Sequence, residues 1–149
     1  MSATISSNRP SSAKGIAVHK IWRAALAAVI AAVAVNLILR AGLAALVGFP
    51  AEFPPLQPPP IIIFTTLGVV AAGIVYAVVA RVAKNPLVTY RVIALAALIV
   101  SILPNFGLMA NPASAPFPGG SALTFGLLII FHIAAALVAV LVLEKLTRE

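Results

Sequence analysis

The residues of this chain that could do chemistry are a few polar side chains inside long apolar segments. They are Asn36, Arg40, Ser101, Asn105, Thr124 and His132. Polar groups inside a membrane are costly, so they face a protein interior or a cavity rather than lipid. We therefore expect these side chains to form a polar cluster in the outer half of a helix bundle. Such a cluster would suit an anionic or hydrogen-bonding ligand.

His132 is the ionisable residue that lies deepest in an apolar segment, and three roles are open for it. It could be a neutral imidazole hydrogen-bonded across the bundle, a proton relay or substrate contact, or a ligand of haem or a metal. His19 lies near the start of the first apolar segment, too far in depth to share a metal with His132. The chain has no Cys, so we predict no metal site and no cofactor.

Arg40 follows Asn36 by four residues and so shares its helical face. It could extend its guanidinium to the outer interface. Alternatively it could turn inward, form an ion pair with Glu52 in the following loop, and cap the polar cluster. The sequence leaves both arrangements open.

Catalytic motifs are missing from the sequence. We find no phosphate-binding loop, no dinucleotide fingerprint, no zinc-protease motif and no Ser or Cys triad set. We therefore predict that the protein is not an enzyme. The net charge of +7 comes from short basic clusters without a recognition module, so we also predict no nucleic-acid partner.

The elements that must position these side chains are transmembrane helices. Of the 149 residues, 62% are hydrophobic and 9% are charged, whereas soluble domains are roughly 45–50% apolar and about 25% charged. Four segments approach the roughly 20 apolar residues that cross a bilayer. The predicted helices cover about residues 20–46, 61–83, 87–104 and 121–145. The prolines at 58–60 are expected to be extended. Pro104 is expected to end the third helix, with a kink as the alternative.

The positive residues indicate the orientation of these helices. Lys and Arg precede the first helix, surround the turn near residue 84 and follow the last helix. Because cytoplasmic loops carry the excess of Lys and Arg, both termini are predicted to be cytoplasmic, with residues 1–15 a disordered tail. Trp22, Tyr76 and Tyr90 are expected to anchor at the same interface. The prediction is an all-α, antiparallel four-helix bundle, residues 16–149, in the bacterial cytoplasmic (inner) membrane.

The sequence resembles a family of small bacterial four-helix integral membrane proteins catalogued as a domain of unknown function. The features that carry the resemblance are Trp22-Arg23-Ala24, Asn36-Leu37-Ile38-Leu39-Arg40, the proline-rich outer loop, Arg91-Val92-Ile93-Ala94-Leu95, Ser101-Ile102-Leu103-Pro104, and His132. The resemblance implies the topology and no activity.

Three functions remain open. The first prediction is a structural or accessory subunit that packs in a membrane complex or with itself, since small-residue faces let membrane helices approach closely. The alternative is binding or transport of a small molecule, lipid or ion through the polar cluster. A further alternative is a quinone- or haem-associated redox subunit that uses His132. The lipid bilayer is the partner common to all three.

Overall fold

Four long helices form most of the chain in the computed structural model, which describes residues 16–148. They are α1 (Ile21–Leu46), α2 (Pro58–Val82), α3 (Pro86–Ala110) and α4 (Ala122–Thr147). Helices of 25 or 26 residues are about 38 Å long and exceed a hydrocarbon core of about 30 Å. All four are long and apolar enough to cross a membrane, which confirms the predicted four-helix, all-α architecture. The tail predicted over residues 1–15 lies outside the described residues.

Prolines begin two of the helices. Residues 58–60 form the first turn of α2, and Pro86 is the first residue of α3. The predicted extended conformation of residues 58–60 is therefore wrong. The first backbone N–H groups of a helix have no acceptor inside the helix, so a proline costs nothing there, and its fixed φ already suits the helix.

Helix α3 does not end at Pro104 as predicted but continues to Ala110. A proline in a helix interior removes one hydrogen bond and crowds one carbonyl. In an apolar environment, unwinding the remaining residues would leave many more backbone groups without partners. Continuing the helix therefore costs less than ending it at the proline.

Successive helices run in opposite directions, so the two ends of the described region meet at the same end of the bundle. We call this end of the bundle the termini end. There, Ile16 and Arg148 form an antiparallel backbone bridge, and the N–H of Ala17 donates to the carbonyl of Thr147 at 2.8 Å. Residues 83–85, which link α2 to α3, lie at the same end. The opposite end, the loop end, carries the connections 47–57 and 111–121. Helix α1 packs against α2 and α4, α3 packs mainly against α4, and α2 and α3 meet far less.

A stripe of alanines lets α1 pack at the centre of the bundle. Ala24, Ala28 and Ala32 are each at most 1% exposed, and their spacing of four places them on one face. Side chains this small allow close approach of neighbouring helices. Asn36 continues the same face by one more step, so the packing of α1 carries this amide into the protein interior.

Two apolar clusters hold the ends of the bundle. At the termini end, Ile21, Tyr76 and Leu143 pack with the alanine stripe. At the loop end, Phe53 from the first connection is fully buried and makes edge contacts with Phe117 and Phe125, at centroid distances of 6.3 and 5.4 Å. Both connections are thus packed onto the bundle, and the region between α2 and α3 is left less filled.

Candidate functional site

A cavity of about 580 Å³ lies between α2 and α3, with α4 behind it. This volume falls within the roughly 300–1,000 Å³ typical of sites for small molecules. Lining residues on both flanking helices are exposed, including Phe64 and Gly68 on α2 and Ala97 and Ser101 on α3. The cavity therefore opens sideways, through the surface that would face lipid if the helices cross a membrane.

The cavity wall is apolar apart from a few polar side chains. The polar lining residues are Asn36, Thr65, Tyr90, Ser101 and His132. The described lining residues include no Asp, Glu, Lys or Arg. Asn36, Ser101 and His132 each lie nine or ten residues from the loop end of their helices, about 15 Å along the axis. Three polar groups thus meet at one level, slightly on the loop-end side of the middle.

Asn36 is held by two hydrogen bonds that its amide nitrogen donates. Nδ2 lies 2.9 Å from Oγ1 of Thr65 on α2 and 3.5 Å from the carbonyl oxygen of Phe131 on α4. Asn36 is only 2% exposed, and its Oδ1 is buried without a hydrogen-bond partner. A buried amide oxygen without a partner is costly, so this acceptor is unsatisfied in the wall of the cavity.

His132 makes its hydrogen bond within its own helix. Nδ1 lies 2.7 Å from the carbonyl oxygen of Leu128. Because a carbonyl only accepts, Nδ1 must carry the proton, and Nε2 of the neutral ring is left as an acceptor. Of the three roles left open for His132, the first required a bond across the bundle, and the structure has this local bond in its place. Ser101 also bonds locally, since its hydroxyl donates to the carbonyl of Leu98 at 2.8 Å.

Arg40 belongs to the loop end and does not line the cavity. Its Nε donates to the carbonyl of Leu56 at 2.7 Å, and Nη2 donates to Oε1 of Gln57 at 3.2 Å. The ion pairs formed within residues 16–148 do not include the predicted one between Arg40 and Glu52. The connection 47–57 turns the carbonyl of Leu56 and the side chain of Gln57 toward Arg40, while Glu52 is exposed and lies against the position of Gly119. Arg40 therefore fixes the first connection.

Two other residues of the predicted cluster also lie outside the cavity wall. Thr124 forms a capping box at the start of α4: the N–H of Ser121 donates to its Oγ1 at 2.8 Å, and its own N–H donates to Oγ of Ser121 at 3.2 Å. Asn105 is buried on α3 one turn beyond Ser101 but does not line the cavity. Of the six predicted residues, the structure brings Asn36, Ser101 and His132 together.

A second polar cluster, not predicted from the sequence, lies at the termini end. Glu144 on α4, whose side chain is 6% exposed, accepts two hydrogen bonds from Arg91 on α3, at 2.7 and 2.6 Å. Arg148 donates a third at 2.9 Å. The paired geometry of guanidinium and carboxylate fixes the orientation of both groups. This ion pair ties α3 to α4 at the end opposite to the loops.

Tyr76 and Tyr90 occupy the interior rather than the interface that was predicted for them. Their rings meet edge to face with centroids 4.6 Å apart. The hydroxyls of Tyr76 and Thr147 share a hydrogen bond of 2.7 Å, whereas the hydroxyl of Tyr90 is buried without a partner. Trp22 is 63% exposed, which suits the predicted interfacial position. Sequence could not separate these aromatics, because all three lie near the same ends of their helices.

The fold and the cavity define a multi-pass helical membrane protein with a lateral, mostly apolar cavity. Within residues 16–148 no three His, Cys, Asp or Glu side chains are grouped so that they could hold a metal ion. The chain belongs to the family of unknown function DUF6069, whose model matches residues 16–149. This match confirms the resemblance drawn from the sequence. Comparisons with curated proteins and with solved structures gave no match.

Proposed function

We propose that this protein binds a small hydrophobic molecule of the bilayer in the cavity between α2 and α3, and that its role is binding rather than catalysis. The observation that carries the proposal is the lateral opening of a mostly apolar 580 Å³ cavity, whose wall includes Asn36 and Tyr90, two residues that each have a buried polar atom without a partner. Unsatisfied buried polar groups are rare in folded proteins, and a small shift of these side chains toward a bound molecule is one way to satisfy them.

The geometry favours this role over the accessory role that was predicted first. An accessory subunit needs an outer face that fits a partner protein, and it has no use for a cavity. The binding role instead uses the space between α2 and α3, which pack less closely with each other than α2 does with α1 or α3 with α4, while α4 lies behind that space. The redox alternative would use the same imidazole of His132 and stays a prediction.

The proposed setting is the cytoplasmic membrane of a bacterium, with the termini end in the cytoplasm. Lys20, Arg81, Lys84 and Lys145 lie at or near that end, whereas Arg40 is the base near the loop end among the described residues. This asymmetry supports the orientation, because cytoplasmic segments carry the excess of Lys and Arg. The side opening would then face the acyl chains of the lipid.

Photolabelling with a matched pair of variants tests the proposal. The probe is a long-chain alkyl methyl ether that carries a diazirine and a terminal alkyne, added to the purified full-length protein in detergent. We expect labelling of α2 and α3 in the wild type and several-fold weaker labelling in Ala97→Phe, because Ala97 lines the cavity. Ala96→Phe is the control: Ala96 is an exposed neighbour on α3 outside the cavity wall.

The labelled residues are mapped by mass spectrometry of the digested protein. Wild-type labelling that spreads evenly over all four helices, or equal loss in Ala97→Phe and Ala96→Phe, would contradict the binding role. Native mass spectrometry of the protein gently extracted from its own membrane complements the test. If that spectrum shows other membrane subunits bound and no small ligand, the accessory role is supported instead.

A further inference from the structure

The polar groups at the level of His132 present acceptors to the cavity. The ring of His132 uses its Nδ1 proton for the carbonyl of Leu128, so in the neutral ring Nε2 holds a free lone pair. Nε2 has no hydrogen-bond partner in residues 16–148 and is not among the buried atoms. It is therefore accessible from the cavity that His132 lines.

Ser101 and Asn36 have likewise used their donors, whereas the hydroxyl of Thr65 accepts from Asn36 and keeps its proton. The hydroxyl proton of Ser101 goes to the carbonyl of Leu98, and the amide protons of Asn36 go to Thr65 and Phe131. Ser101 retains exposed oxygen lone pairs, and Asn36 retains those of its buried Oδ1. A molecule that only accepts hydrogen bonds would place its own oxygen against these acceptors. A molecule with a donor would instead complete the hydrogen bonding at this level.

The charge of the wall sets a second requirement. The cavity has no charged side chain among its described lining residues, and moving an unpaired ionic group into an apolar site costs far more than moving a neutral one. A phosphate, carboxylate or ammonium head is therefore disfavoured. The alanines and valines of α2, α3 and α4 that make up most of the remaining wall suit a hydrocarbon chain.

Resting on the proposed function, we infer that the ligand is an uncharged lipid whose head is a hydroxyl, which donates a hydrogen bond to Nε2 of His132. The hydrocarbon chain then runs along α2 and α3 toward Tyr90, at the far end of the cavity. Tyr90 and Ser101 are eleven residues apart on α3, about 16 Å along the axis. The cavity thus has the length for a chain as well as the acceptor for a head.

Two probes that differ in one group test this inference. A long-chain alcohol and its methyl ether carry the same diazirine and alkyne, and each is titrated against the full-length protein in detergent. We expect half-maximal labelling of the cavity by the alcohol at about fivefold lower concentration, the ratio that one neutral hydrogen bond gives. Only the alcohol can donate, so the ratio reports on the hydroxyl and not on the chain.

The variant His132→Phe keeps a planar ring and removes the acceptor. We expect the half-maximal concentrations of the alcohol and the ether to become about equal, so that their ratio falls to about one, whatever change the new ring makes to the binding of both probes. His132→Gln, which carries an amide oxygen that can accept, is expected to restore part of the ratio. Thermal melting of both variants checks that the bundle remains folded, and the wild-type ratio provides a test that needs no variant.

The outcomes separate the two proposals. Equal labelling by both probes in the wild type, confined to the cavity, would overturn the hydroxyl head but support the binding role. A fivefold ratio that persists in folded His132→Phe would overturn the part assigned to His132. If neither probe labels the cavity, both proposals fail. The chemistry of the head and the existence of the site are thus measured independently.

Discussion

At the residue scale, the two buried tyrosines show how much depends on a single hydroxyl. Tyr76 and Tyr90 are at most 1% exposed and their rings are in contact. The hydroxyl of Tyr76 is paired with Thr147, which in turn donates to the carbonyl of Leu143 at 2.7 Å. Tyr90 lines the cavity, but its hydroxyl is buried and has no partner. The same group therefore stabilises the fold at one position and costs free energy at the other.

The substitution of each tyrosine by phenylalanine measures this difference. Tyr76→Phe breaks the bond to Thr147, and we expect it to lower the free energy of unfolding by about 1 kcal/mol. Tyr90→Phe removes a hydroxyl without a partner, so we expect equal or higher stability in protein free of added ligand. Denaturation of the detergent-solubilised variants, followed by circular dichroism, provides the measurement. Equal losses in the two variants would show that the Tyr90 hydroxyl has a partner in solution.

The sequence predicted part of the site because helical spacing is local. Asn36, Ser101 and His132 were each predicted to face the bundle, and the structure places all three in one cavity wall. Their common depth was not predicted, because the third helix was expected to end at Pro104, close to Ser101, and it continues to Ala110. The partners of Arg40 could not be predicted in this way. They depend on the path of the connection 47–57, where the carbonyl of Leu56 rather than the carboxylate of Glu52 meets the guanidinium. An irregular connection has no periodic residue pattern from which its contacts could be predicted.

At the element scale, the contact between α1 and α2 depends on a glycine. Gly73 is buried, and a Cβ placed on it would lie 3.1 Å from Cβ of Ala25. Gly68, five residues earlier on the same helix, has open space around it and lines the cavity. Glycine therefore has two roles on α2: one allows helices to touch, and the other leaves room between α2 and α3.

Introducing leucine at each glycine separates these roles. Gly73→Leu forces a side chain against α1, so we expect a lower melting temperature and a tendency to aggregate, the usual result of overpacking. Gly68→Leu meets no neighbour at its Cβ and extends into the cavity. We expect it to keep the wild-type melting temperature while cutting labelling by the methyl ether probe several-fold. If Gly68→Leu lowers the melting temperature and Gly73→Leu does not, the roles assigned to the two glycines are wrong.

The elements themselves could be predicted well, and their ends less well. Four apolar runs separated by proline, glycine and charge suffice to predict four helices, because an unpaired backbone is too costly in lipid for other conformations. The errors came at prolines 58–60 and at Pro104. Whether a proline stops a helix depends on its position in the helix and on what the following residues gain by remaining helical, which composition does not reveal.

At the scale of the whole molecule, the two ends of the bundle differ in charge. The described Lys and Arg residues lie at or near the termini end, with the exception of Arg40, and Arg40 is engaged by the first connection. The second connection, 111–121, has no charged residue. The bundle is therefore electrostatically polar along its axis, and this polarity underlies the proposed orientation with the termini end in the cytoplasm.

The absence of cysteine from the sequence makes this orientation directly measurable with single cysteines. Ala113→Cys places a thiol in the second connection at the loop end, and Asn85→Cys places one in the link between α2 and α3. Both positions are exposed, and neither substitution removes a positive charge. In intact bacterial cells, we expect a membrane-impermeant maleimide to label Ala113→Cys and to spare Asn85→Cys until the membrane is permeabilised. Labelling of both variants in detergent verifies that each thiol is reactive. If Asn85→Cys reacted from outside and Ala113→Cys did not, the charge asymmetry would not set the topology, and the side opening of the cavity would have to be considered in an inverted bundle.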